Sequence, residues 1–123
     1  MSSECPFCSE TSAILENELA FTRKDLFPVS EGHTLIISKR HVANYFQLTK
    51  DEQISILDLL NETKENLDKE FKPDGYNIGV NVNESAGQTV HHVHIHIIPR
   101  YTGDVSDPRG GVRGVIPTKK NYL

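Results

Sequence analysis

The sequence predicts an α+β domain, with an antiparallel sheet of about five strands, one long helix and a short one. Three observations carry this. The run His92-Val93-His94-Ile95-His96-Ile97-Ile98 alternates polar and apolar residues with the period of a strand. A helical pattern occupies about residues 50 to 71. The apolar runs around it are short and joined by short loops, which favours antiparallel pairing with helices on one side.

Taken in order, Glu18-Leu19-Ala20-Phe21-Thr22 reads as a first strand, a turn-prone stretch leads to Gly32, and Thr34-Leu35-Ile36-Ile37-Ser38 reads as a second strand. Thr49-Lys50-Asp51-Glu52 has the Ser/Thr-x-x-Glu form of a capping box, and Ile54, Leu57, Leu60, Leu67 and Phe71 follow at near-helical spacing. Lys72-Pro73-Asp74-Gly75 is a turn in which Pro fixes one dihedral and Gly permits another. Tyr76 to Val82 alternates as a strand, and a Gly-containing loop leads into the histidine strand. From Tyr101 to Leu123 the chain carries Gly103, Pro108, Gly110, Gly111, Gly114 and Pro117, too many breakers for a regular element. Residues 1–100 are therefore expected to form the domain, with 101–123 as its C-terminal loop or arm.

A chain of 123 residues suits one domain with one core. Hydrophobic residues at 37% and charged residues at 24% argue against disorder, and a net charge of −4 argues against an electrostatic nucleic-acid binder. No apolar run approaches a membrane span, and Met1-Ser2-Ser3-Glu4-Cys5 lacks a targeting pattern, so the expected compartment is the cytoplasm. Cys5 and Cys8 are too close to staple a fold and read as a metal or redox pair. The redox reading expects a βαβ context, which the first forty residues do not show.

Four histidines lie between His91 and His96. In a strand His92, His94 and His96 project from one face while Val93, Ile95 and Ile97 pack under the other, and His91 points away from the row. Residues two apart are about 6.6–6.8 Å apart along a strand, a gap that suits one phosphoryl group. Imidazoles used only as structural cover would each need a hydrogen-bond partner. Three chemistries fit the cluster. One imidazole can attack phosphorus while a neighbour holds the phosphoryl oxygens and protonates the leaving group. Alternatively the three histidines bind a catalytic metal, or the cluster binds metal or senses nucleotides without turnover. Cys5-Pro6-Phe7-Cys8 supplies half of a tetrahedral zinc site. If one strand histidine helps to complete it, two remain for phosphate.

The segment from Gln88 to Arg100 resembles the histidine-triad family, whose motif is His-φ-His-φ-His-φ-φ with φ apolar; here it runs from His92 to Ile98 without a mismatch. Cys5-Pro6-Phe7-Cys8, Gly32-His33-Thr34-Leu35-Ile36-Ile37 and Ala86-Gly87-Gln88-Thr89 extend the resemblance over about residues 4 to 100. It implies that His94 is the nucleophile on an α-phosphate, that His96 contacts the phosphate and leaving group, and that His33 supports the nucleophile. It implies further that Asp25 binds ribose hydroxyls, that Phe7 and Leu35 wall the base pocket, and that Asn81, Gln88 and Thr89 surround the phosphates. Several of these have a plainer use: Phe7 and Leu35 in the core, His33 as a satisfied core histidine, Asp25 in a turn, Gln88 and Thr89 in shaping the loop.

Branches of the family with a Cys-x-x-Cys pair imply a closed, structural zinc held by Cys5, Cys8, His41 and His92. Related nucleotidyltransferases replace the third histidine with glutamine, whereas this chain keeps His96. The implied activity is hydrolysis of a nucleoside phosphoramidate or dinucleoside polyphosphate at the α-phosphate, through a nucleotidyl-histidine, with release of the nucleoside monophosphate. A non-catalytic nucleotide-binding role and a nucleotidyltransferase are the alternatives. The implied partners are a purine nucleotide and a second copy in a two-fold dimer, with neither nucleic acid nor membrane. Beyond residue 100 no catalytic position transfers. Arg109 and Arg113 either reach the far phosphates of a long substrate or belong to a packed arm.

Overall fold

A computed structural model describes residues 5–9 and 12–122. Met1–Glu4, on which the expected lack of a targeting signal partly rests, and Leu123 at the end of the arm lie outside the described residues. The chain is α+β, with strands β1 (Ala20–Lys24), β2 (Thr34–Ser38), β3 (Gly75–Gly79) and β4 (His94–Arg100) and one helix, α1 (Lys50–Glu70), between β2 and β3. The sheet is antiparallel throughout, in the order β1-β2-β4-β3. Non-sequential pairing of β2 with β4 places the histidine strand at the centre, with His94 opposite Ile37 and His96 opposite Leu35.

Among the described residues four strands stand where about five were expected. The described residues before β1 supply a single bridge, Glu16 to Phe21, next to a turn at which Asn17 Oδ1 accepts the N–H groups of Leu19 and Ala20; beyond it Ile14 and Leu15 both bond to Thr22, which breaks the regular ladder. Among the described residues the short helices are all 3-10 turns, at Tyr45–Gln47, Glu84–Ala86, Gly111–Val115 and Pro117–Lys119. The first strand begins two residues later than the apolar run suggested, and β3 ends at Gly79 rather than Val82. The histidine strand is paired only from His94, so His92 stands before it.

Helix α1 starts at the expected capping box: Thr49 accepts Glu52 N–H at 3.1 Å and Glu52 accepts Thr49 N–H at 2.8 Å. Its buried stripe is Ile56, Leu59, Thr63 and Leu67, while Ile54 and Leu57 face solvent. The helix covers one face of the sheet, where Ala20, Ile36, Val93, Ile95 and Ile97 meet Ile56, Leu59 and Leu67 in the main core. A smaller cluster of Phe7, Phe21, Leu35 and Ile37 lies on the opposite face. That face carries the site. The turn after α1 takes its left-handed residue at Lys72, with φ of 52°, rather than at Gly75, which opens β3.

The C-terminal arm folds on itself. Arg113 donates to the carbonyls of Lys119 and Lys120 and lies over the Tyr122 ring, and Arg109 pairs with Asp107. Neither arginine lines the cavity beside the histidine strand. No helix among the described residues is long and apolar enough to cross a membrane.

Candidate active site and metal site

Strand β4 alternates, so Ile95 and Ile97 enter the main core while His94 and His96 face a cavity on the other side. The backbone around them fixes their tautomers. His94 Nδ1 lies 2.8 Å from the His92 carbonyl oxygen. A carbonyl only accepts, so Nδ1 carries the proton and Nε2 keeps its lone pair. His33 Nδ1 accepts Val29 N–H at 3.1 Å, which leaves the His33 proton on Nε2. That nitrogen is 2.9 Å from His96 Nδ1, so His96 accepts there and holds its own proton on Nε2. A lone pair on His94 and an N–H donor on His96 thus sit side by side, with ring centroids 5.3 Å apart.

Asp25 closes the same group. Its Oδ1 accepts Phe27 N–H at 2.9 Å, and its Oδ2 lies 3.3 Å from His33 Nε2 and 3.8 Å from His96 Nδ1. Burial lowers the pKa of His33, and Asp25 partly opposes this. For His96, burial together with the neighbouring His94 and His33 brings the pKa down to about 4, again against the pull of Asp25. Both imidazoles are therefore neutral near pH 7, in keeping with one proton between them at the 2.9 Å contact.

The cavity has a volume of about 370 Å³ and is lined by Phe7, Leu35, Asp25, Asn81, Thr89, His94 and His96 among the residues singled out in the sequence. Phe7 and Leu35 form its apolar floor with Phe21 and Ile37 beneath, and the Phe7 ring meets His94 edge-on at 5.1 Å. Gln88 is not part of the lining: its amide donates to the Ala43 and Val90 carbonyls and accepts Asn83 N–H, which fastens the loop carrying Thr89. Five further lining side chains, Pro6, Arg23, Leu26, Phe27 and Val90, were given no role from the sequence. Arg23 was recoverable, because a period of two from Phe21 places Arg23 and Asp25 on one face. A larger cavity of about 580 Å³ opens between α1 and β1 on the other side of the sheet. It touches Asp25 and His33 but neither His94 nor His96, so the smaller cavity is the one that the paired imidazoles face.

Cys5, Cys8, His41 and His92 converge, with their ligand atoms all within 4.8 Å of one another. Cys5 Sγ is 3.3 Å and Cys8 Sγ 3.5 Å from His92 Nδ1; His41 Nδ1 is 3.0 Å from Cys8 Sγ and 3.2 Å from His92 Nδ1. Ligands of a tetrahedral zinc stand about 3.3–3.8 Å apart, given bonds of about 2.3 Å to sulfur and 2.0–2.1 Å to nitrogen. These four separations fall within that range or slightly below it. The fully buried His92 lies with Nε2 2.7 Å from the Ser38 carbonyl oxygen, which puts its proton there and turns the Nδ1 lone pair to the cysteines. His92, His94 and His96 do not form a common metal set, since His92 faces the cysteines and His94 Nδ1 is committed to a carbonyl. His91 is exposed.

The fold and site together define a class: a two-layer α+β protein whose open sheet face carries paired imidazoles beside a four-ligand Cys2His2 metal set. The chain belongs to the histidine-triad family, for residues 8–103 match the family model described as HIT domain. It is 40% identical over 104 residues to an uncharacterised 16.1 kDa HIT-like protein of Mycoplasma pneumoniae, covering 79% of this chain and 72% of that one. It is also 37% identical over 83 residues to the asymmetrical bis(5'-nucleosyl)-tetraphosphatase of Schizosaccharomyces pombe, covering 68% of this chain and 46% of that one. A solved zinc-bound histidine triad family protein from Mycobacterium smegmatis superposes with a TM-score of 0.77 at 29% identity, covering 87% of this chain and 82% of that one.

Proposed function

We propose that this protein is a nucleotide hydrolase acting at the α-phosphate of a nucleoside phosphoramidate or dinucleoside polyphosphate through a nucleotidyl-His94 intermediate. The observation that carries the reading is the pair of tautomers: the His94 lone pair at Nε2 beside the N–H donor at His96 Nε2. His94 Nε2 attacks phosphorus, a P–N bond to the protein forms, and the bond to the leaving group breaks. Water then attacks the same phosphorus, the P–N bond breaks, and the monophosphate and free His94 result. His96 donates to the phosphoryl oxygens in both steps. For a leaving group that requires a proton, the His33–His96 pair gives one in the first step and recovers it from water in the second.

Phe7, Leu35, Leu26 and Phe27 supply the apolar surface for a purine, Asp25 meets the ribose, and Asn81 and Thr89 meet the phosphates. Gln88 contributes by holding the Thr89 loop in shape. Cys5, Cys8, His41 and His92 hold a structural zinc, which when bound cross-links the N-terminal segment to the ends of β2 and β4. The similarity to a tetraphosphatase supports a polyphosphate substrate. A cytoplasmic two-fold dimer is the expected assembly, and a monomer by light scattering overturns it.

The deciding experiment is an acid quench during turnover of a labelled nucleoside phosphoramidate or dinucleoside polyphosphate. Acid-labile label on the protein, absent from His94→Ala, is the expected result. An active His94→Ala variant with no trapped adduct on wild type overturns the proposal.

A further inference from the structure

One demand of the proposed reaction falls outside the histidines themselves. A neutral imidazole that gives up its single N–H becomes an anion, so the His33–His96 pair can protonate a leaving group only after gaining an extra proton. The His33 ring is buried and the His96 ring meets solvent only on its cavity side, and the groups facing them are few. His94 stands beside His96 on β4, Arg23 lines the same cavity from β1, and Asp25 follows β1. The first two disfavour a second positive charge when they are charged. Asp25 alone favours it.

Resting on the reading above, we propose that Asp25 is a positioning residue for the His33–His96 pair, holding it to accept and pass on the leaving-group proton, in addition to any contact with ribose. Its placement argues for this. Oδ1 is pinned by Phe27 N–H at 2.9 Å, so the carboxylate cannot swing freely, and Oδ2 is aimed between the two rings at 3.3 and 3.8 Å. When His96 gains a proton on Nδ1, its contact with the His33 N–H becomes donor against donor. Asp25 Oδ2 is within reach of both N–H groups and accepts them, as a carboxylate orients and stabilises an imidazolium in acyl transfer. On releasing the Nε2 proton to the leaving group, His96 is left neutral with Nδ1–H on Asp25 and a lone pair on Nε2, ready to take a proton from water in the second step.

Ribose binding and proton positioning separate on the right substrates. The test compares wild type with Asp25→Asn on an alkylamine phosphoramidate, on its 2′,3′-dideoxy counterpart, and on a p-nitrophenyl nucleotide ester whose leaving group needs no proton. Asp25→Asn is expected to lower kcat about 100-fold on both phosphoramidates and by at least about tenfold less on the ester, whereas a lost ribose contact lowers amine and ester alike. The alkaline limb of the phosphoramidate pH profile should move to lower pH, because the required acid loses its proton earlier without the carboxylate. Asp25→Ser, whose hydroxyl can still accept Phe27 N–H, should behave alike and guards against collapse of the turn. A loss that disappears on the dideoxy substrate, or one equal for amine and ester, overturns the proposal. Failure of the hydrolase reading is distinguishable, since wild type would then form no His94 adduct from the ester.

Discussion

Gly32 shows how much one residue contributes to the position of His33. Its φ is +92°, and a Cβ there would lie 3.0 Å from Phe71 Cδ2 and 3.1 Å from side-chain carbons of Leu67 and Pro99. Both the backbone conformation and the space therefore require glycine immediately before the histidine. Gly32→Ala is expected to cost about 2–4 kcal/mol, seen as a lower denaturation midpoint, and to slow adduct formation on His94 by moving His33. His94, His96 and His33 were legible in the sequence because alternation and a glycine-flanked strand start both leave a pattern. Val29 was not legible, since its contribution is a main-chain N–H that any residue but proline supplies. His92 was half legible: the period of two put it in line with His94 and His96, but strand pairing starts after it, and Ser38 turns its ring toward the cysteines.

Helix α1 divides in the same way. Its ends were legible from the capping box and from Pro73, whereas its buried face was not, because Thr63 occupies a core position and Ile54 and Leu57 draw the apolar pattern toward solvent. Thr63 also carries a buried hydroxyl oxygen without a hydrogen-bond partner. Thr63→Val removes that oxygen at nearly constant shape and should stabilise by about 1 kcal/mol, read as a rise in melting temperature; an unchanged or lower value would mean that the hydroxyl is satisfied in solution. At the other end, Arg40 donates to both Glu52 oxygens, at 2.8 and 2.9 Å, and holds that buried carboxyl down to about 2. A carboxyl depressed on folding stabilises above its unfolded pKa and loses that contribution as pH falls through the folded one. Arg40 is exposed, which screens the pair, so about 1–2 kcal/mol is expected. Denaturant titrations of wild type and Glu52→Gln should differ by that amount at pH 6 and converge between about pH 4.5 and pH 2.

Across the whole molecule, the four residues that could hold a metal come from three separated places: the N-terminal turn with Cys5 and Cys8, His41 beyond β2, and His92 before β4. The N-terminal turn is otherwise held by the buried Phe7 ring, packed on Phe21, Leu35 and Ile37, and by Arg23, which lies over that ring and donates to the Pro6 carbonyl; Phe7 is also the floor of the cavity. Binding four ligands in the folded chain adds to folding free energy, as in other Cys2His2 sites. The proposed chemistry, by contrast, rests on His94, whose Nδ1 proton is fixed by the His92 carbonyl rather than by a metal bond. Cys5→Ser should therefore lose zinc, melt at lower temperature and show a raised KM, because Phe7 is then held by its apolar packing and Arg23 alone. It should still form the His94 adduct, with kcat reduced much less than KM is raised. His94→Ala should keep a full complement of zinc and form no adduct. Metal analysis beside the acid-quench assay checks both variants at once. The reverse pattern, zinc lost from His94→Ala and kept by Cys5→Ser, would place the metal on the catalytic row and make it the agent of the reaction.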